Sequence, residues 1–267
     1  MTDPADREQL RQTFDRAAQR YDRARPEYPA ALFDELIVAT RLRRDARVLE
    51  VGSATGKATL PLAARGFDIT CIELGADLAA VAEKRLAGFP NVRVIRSDFD
   101  TWTPPGRHFE LVFAATAWHW LDPATRYQRA AAALRPGGHL AIWSATHVFP
   151  DGGDPFFREI QEVYDDIGEG LPAESSWPRP DEIELVDLER DSGGLFRSVS
   201  ARVFDWETIH DADSYIALLN TFSGHIAMQP WQRDRLYGEI RRRLAARPDG
   251  RLRRHWGAVL EIGRLTA

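Results

Sequence analysis

Three acidic residues stand at the ends of three short apolar runs. Glu50 closes "RVLEV" (47–51) with Val51, Glu73 ends "FDITCIE" (67–73), and Asp98-Phe99 ends "NVRVIRSDF" (91–99). If the runs are parallel strands, all three carboxylates emerge at the C-terminal edge, where open α/β sheets bind ligands. A carboxylate after the second strand can accept two hydrogen bonds from a ribose diol. Asp98 and Phe99 add an acceptor and an aromatic face suited to an adenine.

The turn after the first run reads "GSATGK". Its small residues are Gly52, Ala54 and Gly56. A dinucleotide turn needs G-x-G-x-x-G, and its third glycine would fall on Lys57. A P-loop needs G-x-x-x-x-G-K-[ST]; here position 51 is valine and Ala58 follows Lys57. Both phosphate-binding readings fit badly. Turns of this kind also hold methyl donors.

The elements that must position these residues alternate. Residues 8–21 have helical spacing, with Leu10, Phe14, Ala17, Ala18 and Tyr21 on one side. "RARPEYP" (23–29) breaks it, and Pro29 opens a second helix bearing Leu32, Phe33, Leu36 and Ile37. Strands are predicted at 47–51, 67–73, 91–99, 109–117 and 139–145, with helices at 57–65, 76–89 and 123–135 between them. That order predicts a parallel sheet covered on both faces. Beyond residue 146 the pattern loosens into helices (154–168, 212–222, 230–246), a loop (168–180) and strands (197–206, 251–265).

Bulk properties bound the function. The 267 residues are 44% hydrophobic with a net charge of −5, so no dominant nucleic-acid or membrane surface is expected. The arginines at 241–243 and Arg251, Arg253 and Arg254 read as the solvated face of a helix and a strand start. The single cysteine, Cys71, excludes an internal disulfide and a cysteine-based zinc site. No His/Asp/Glu cluster suggests a metal. The polar N-terminus carries no signal-like apolar run, and no run is long enough to span a membrane. A cytoplasmic protein, monomer or homodimer, is expected.

"VLEVGSATGKATLPLAARG", "CIELGADLAAVAEKR", "SDFDTW", "FELVFAATAWHWLDP" and "LRPGGHLAIW" resemble, in order and spacing, the successive motifs of class I S-adenosylmethionine-dependent methyltransferases. "FDRAAQRYDRARPEYPAALFDEL" and "YIALLNTFSGH" resemble a bacterial small-molecule subgroup that includes trans-aconitate methyltransferase-like proteins. The departure is Ala54, where the family usually has glycine.

The resemblance implies a Rossmann-like, doubly wound, mostly parallel seven-stranded sheet with an antiparallel last strand, N-terminal helices and an inserted cap. It divides the chain into 1–45 (helices closing the cofactor site), 46–145 (cofactor-binding core) and 146–267 (cap, substrate region and last strands). It implies S-adenosylmethionine as cofactor. Gly52, Ser53, Ala54 and Gly56 would approach its methionine part, with Glu50 beneath, and Glu73 would bind the ribose. Leu74 and Phe99 would enclose the adenine, with Asp98 bonding its amino group. Thr116 and Ala117 would lie near the carboxylate and sulfonium, and Tyr21 and Arg25 would close the site. Trp118, Trp120 and Trp143 would face the cation or line the acceptor pocket. His147 and His225 are pocket candidates from the cap, and His119 in "AWHW" is the candidate general base. The implied activity is methyl transfer to a small-molecule oxygen, nitrogen or carbon. The alternatives are a non-catalytic S-adenosylmethionine-binding protein and a dinucleotide-dependent oxidoreductase.

Overall fold

The computed structural model describes residues 22–171 and 177–266. The helix expected over 8–21, with Tyr21, lies outside the described residues. Five strands run parallel in the order β3-β2-β1-β4-β5: β1 Arg47–Val51, β2 Asp68–Glu73, β3 Val92–Arg96, β4 Phe109–Ala115 and β5 Leu134–Trp143. Residues 252–265 form β8, antiparallel to β5, and the outer strand β7 (Phe196–His210) pairs antiparallel with β8. A two-residue strand, β6 (Thr146–His147), also pairs with β8 and makes the sheet eight-stranded among the described residues. The chain winds outward from β1 to β3, then restarts at β4 beside β1. This reversal opens a crevice at the C-terminal ends of β1 and β4.

Period-two alternation divides the sheet's side chains between two cores. Val48, Ile69, Cys71, Leu111, Phe113 and Trp143 face α1 (Ala30–Thr40) and α2 (Thr59–Ala63). The Phe113 and Trp143 rings stack at 5.3 Å, almost parallel. Leu49, Ile72, Val112, Leu140 and Ile142 face the other way, with Phe99, Trp118 and helix α4 (Arg126–Ala133). Helix α3 (Ala76–Leu86) crosses between β2 and β3 and buries Leu78, Ala82 and Leu86. A third core forms the cap. Short helices α5 (Phe156–Glu159) and α6 (Gln161–Asp166) join α8 (Ala212–Leu219) and α10 (Pro230–Ala245) over Leu252 and Trp256 of β8. Two further short helices are α7 (Leu188–Asp191) and α9 (Ser223–Ala227).

Several elements differ in extent from expectation. The helix expected over 57–65 is only α2, because the turn runs through Ala58 before the chain becomes helical. Pro61 sits in its first turn, where a missing N–H costs no helical bond. The helix expected over 154–168 divides at Ile160 into α5 and α6. The strand expected over 197–206 extends to His210 because β8 pairs with it along its whole length. One correction bears on chemistry. Arg253 is exposed, but Arg254 is only 7% exposed, so the arginines starting the last strand are not one solvated face. Alternation along β8 puts Arg254 inward with Leu252 and Trp256. Among the described residues, no helix is long and apolar enough to cross a membrane.

Candidate active site

A cleft opens at the β1/β4 crevice, the place where open α/β sheets bind ligands. Its floor is Gly52, Ser53, Ala54 and Thr55 after β1, with Ala115 and Thr116 at the end of β4. Gly52 has φ +69°, and a Cβ there would fall 2.6 Å from the Ala117 Cβ. Only glycine lets these two loops come so close. Ala54 and Thr116 are left-handed without being glycine, at φ +47° and +55°. A β-branched residue with positive φ is a genuine outlier, and strain of this kind persists where surroundings fix it. Thr116 is fixed on three sides. Its N–H donates to the Trp143 carbonyl (2.7 Å), its hydroxyl accepts from the Ala145 N–H (3.2 Å), and it shares a 2.7 Å bond with the Tyr28 hydroxyl.

Glu73 holds the loop from the side. Its Oε2 accepts from the Ala54 N–H at 2.7 Å, and its Oε1 accepts from the Gly75 N–H at 2.8 Å. The carboxylate is 6% exposed. Glu50 lies beneath the loop, 1% exposed, and accepts from the Thr59 hydroxyl at 2.5 Å. Desolvation pushes its pKa up to about 8; the Thr59 bond opposes this and the nearby Glu73 charge adds to it. Glu50 is therefore a neutral acid at neutral pH.

The segment before α1 roofs the cleft and is tied at three points. Asp22 pairs with Arg85 on α3 at 2.5 Å. Arg25 donates from Nε to the Thr221 hydroxyl and from a terminal nitrogen to the Thr221 carbonyl, both at 2.9 Å, and lies 4.2 Å over the Phe222 ring. Tyr28 bonds Thr116 and packs edge-on to Trp143 at 5.8 Å. Lys57 and Trp256 complete the wall.

The candidates from sequence fall into separate groups. Arg25, Glu50, Gly52, Ser53, Ala54 and Thr116 line the cleft together. Gly56, at φ +79°, packs against Leu86 behind it, and Ala117 packs against Gly52. Leu74 is 36% exposed after β2. Asp98 accepts from the Asp100 N–H at 2.9 Å, and Phe99, 4% exposed, stacks on Trp102. Trp118 and Trp143 lie in the two cores, on opposite faces of the sheet, rather than on the cleft wall. Trp120 is half-buried beside His119. His119 itself lies on the exposed rim. Protein bulk behind its ring, and then the Arg126 and Arg25 charges, hold its pKa below the usual histidine value. His147 and His225 belong to the cap. His147 packs on Phe157 and Trp177, and His225 Nε2 meets the Tyr164 hydroxyl at 2.8 Å. Burial lowers His147 to about 2 and His225 to about 4, with Arg254 adding to both.

Tyr28, Lys57 and Trp256 were not singled out from sequence. Tyr28 lies in a Pro-rich break that reads only as a helix boundary. Trp256 shares β8 with an apolar run and reads as core, which it also is at 1% exposure.

Comparison with known proteins agrees with this geometry. A family profile described as a methyltransferase domain matches residues 48–138. An uncharacterized methyltransferase of Mycobacterium tuberculosis is 26% identical over 237 residues, covering 88% of this chain and 87% of that protein. A trans-aconitate 2-methyltransferase of Rhizobium meliloti is 35% identical over 96 residues, 35% of this chain and 36% of that protein. The structure of a candidate type II methyltransferase from Anaeromyxobacter dehalogenans aligns with a TM-score of 0.60 at 25% identity, covering 90% of this chain and 97% of that one. The methyltransferase profile spans the strands that form the cleft floor, and relatives and fold agree with it: the chain carries a methyltransferase domain and is similar to methyltransferases over nearly its whole length.

Proposed function

We propose that this methyltransferase acts on a small molecule bound between the β1/β4 cleft and the cap. The observation that carries this reading is the roof. Arg25, Tyr28 and Trp256 line the same cleft as the glycine loop, an arrangement that suits a small acceptor. S-adenosylmethionine, when bound, supplies a methyl carbon on a positive sulfonium.

Gly52 allows the close backbone approach that the methionine part requires, and Ser53 and Ala54 continue that floor. Glu73 is the ribose acceptor in this reading. Its oxygens accept from the Ala54 and Gly75 N–H groups, and a carboxylate oxygen can accept more than one hydrogen bond. Leu74, Asp98 and Phe99 make the adenine end. Thr116 and Ala117 flank the reacting centre. Glu50, held neutral, supports the loop without adding a buried charge. The roof excludes water and holds donor and acceptor in line, which is the main demand of a displacement at carbon. His119, neutral at neutral pH, can take a proton at the rim.

The test is incubation with methyl-labelled S-adenosylmethionine and a metabolite extract, followed by identification of the labelled product. A labelled small molecule supports the reading. Label on protein or nucleic acid instead overturns it, and cofactor binding without any transfer favours a non-catalytic binding protein.

A further inference from the structure

The cap buries a guanidinium that has no carboxylate partner among the described residues. Arg254 is 7% exposed and forms no ion pair among the described residues. Among the described residues it makes one hydrogen bond, a long one of 3.4 Å from a terminal nitrogen to the Tyr215 hydroxyl, and its Nε has no partner there. Aromatic rings surround it: Trp256 at 4.5 Å, Phe222 at 5.5 Å and Phe157 at 5.7 Å. Cation–π contacts offset part of the lost hydration, yet a buried charge normally requires an opposite charge.

Neighbouring groups supply none. Tyr215 and Tyr164 are phenols whose pKa burial raises, so they stay neutral. His147, His210 and His225 are all pushed down by burial and then by Arg254 itself, so they are neutral at neutral pH. His255 adjoins Arg254 in the chain, and the cation Arg25 adds to burial in lowering the Arg254 pKa. Among the described residues, the surroundings of Arg254 therefore carry positive charge, donors and aromatic surface, with no paired carboxylate.

This site adjoins the cleft. Trp256 lines the cleft and carries Arg254 over its ring. Phe222 carries both Arg25 and Arg254. We propose that Arg254 is the anion anchor of the acceptor subsite and binds a carboxylate on the molecule to be methylated. A planar guanidinium matches a carboxylate with two parallel bonds. A single guanidinium matches the charge and the planar shape of one carboxylate, while the donors of neighbouring Arg25 bond the Thr221 hydroxyl and carbonyl. This inference rests on the small-molecule reading above.

The test uses the full chain, with succinate as the carboxylate probe, succinamide as its neutral counterpart and inorganic phosphate as a third arm. Melting temperature and tryptophan fluorescence are followed at constant ionic strength, with and without S-adenosylhomocysteine. Succinate is expected to raise the melting temperature and alter the emission of Trp256, while succinamide does neither. Arg254→Met is expected to weaken succinate at least tenfold while melting at or above the wild type without ligand, because it removes an uncompensated buried charge. Arg254→Lys retains part of the response. Equal effects of succinate and succinamide overturn the proposal, as does a succinate response unchanged in Arg254→Met. A phosphate response without a succinate response overturns the carboxylate assignment. If Arg254→Met does not fold, Arg254 is a structural pillar unless the wild type still separates succinate from succinamide and Arg254→Lys weakens that difference. S-adenosylhomocysteine binding, read in the same protein by calorimetry, reports the cofactor site separately, so its failure is distinguishable from failure of the anchor.

Discussion

The Ala54 N–H donates to Glu73 Oε2 across 2.7 Å, tying the loop after the first strand to the end of the second. The bond holds Ala54 in its left-handed conformation before any ligand arrives. Order imposed in advance is order that binding does not have to supply.

Glu73→Ala should therefore lower S-adenosylmethionine affinity. A hydrogen bond to a charged group is worth roughly 1.5–3 kcal/mol, so the dissociation constant should rise about tenfold or more. Calorimetric titration of a folded variant measures this. Unchanged affinity would remove Glu73 from the cofactor site.

Ala54→Gly should leave stability unchanged or raise it slightly. A left-handed alanine costs about 1–2 kcal/mol, while glycine costs about 0.4–1 kcal/mol through the unfolded chain. The net gain is between about 0 and about 1.6 kcal/mol, readable by denaturant titration. A clear loss of stability would show that the methyl group packs productively.

Stability should peak near pH 6.5. Glu50 and Glu261 have folded pKa values raised from 4.5 to about 8 and about 7, chiefly by burial. Above the unfolded value the unfolded chain releases protons that the folded chain retains, so stability falls as pH rises through these folded values. His139, His147, His210 and His225 are depressed from 6.5 to about 4, 2, 4 and 4. Their contribution is present above 6.5 and is lost as pH falls. Glu50→Gln should flatten the alkaline limb by up to about 1.4 kcal/mol per pH unit. Thermal melts from pH 5 to about 9 test this across the titration range of these groups, and an unchanged alkaline limb would place Glu50 as an ordinary carboxylate.

His119→Ala should reduce kcat by less than about tenfold, short of the 10²–10⁴ of a general base. The imidazole lies on the exposed rim, and no hydrogen bond orients it among the described residues. Steady-state rates on the identified acceptor decide this. A loss of three orders of magnitude, with an acid limb in the wild type alone, would make His119 the base.

The core of the fold was legible because each strand from β1 to β5 is short, apolar and bounded by turn residues. The glycine loop and Glu73 were legible because their chemistry lies in spacing. The tryptophans were harder to place. An indole that packs between sheet and helix, as Trp143 does against Phe113 and Tyr28, has the same sequence appearance as one that faces a ligand. Arg254 was missed because charge was counted along the chain and not by face. The alternation of Leu252, Arg254 and Trp256 carried the signal. The ties from Arg25 to Thr221 and from Tyr28 to Thr116 link segments far apart in sequence, and no local pattern encodes them.

The place of β8 has a consequence for how the protein is made. Residues 252–265 insert between β5 and β7, and Trp256 walls the cleft. A ribosome will have released the glycine loop, Glu73 and most of the cap before that strand emerges. Until then β5 has an open edge, β7 lacks its only partner among the described strands, and the cleft lacks a wall. Pairing so distant in sequence is intrinsically slow. Cofactor capture should therefore come late, after synthesis of the last strand, and the nascent chain should depend on protection of two unpaired strands until it arrives.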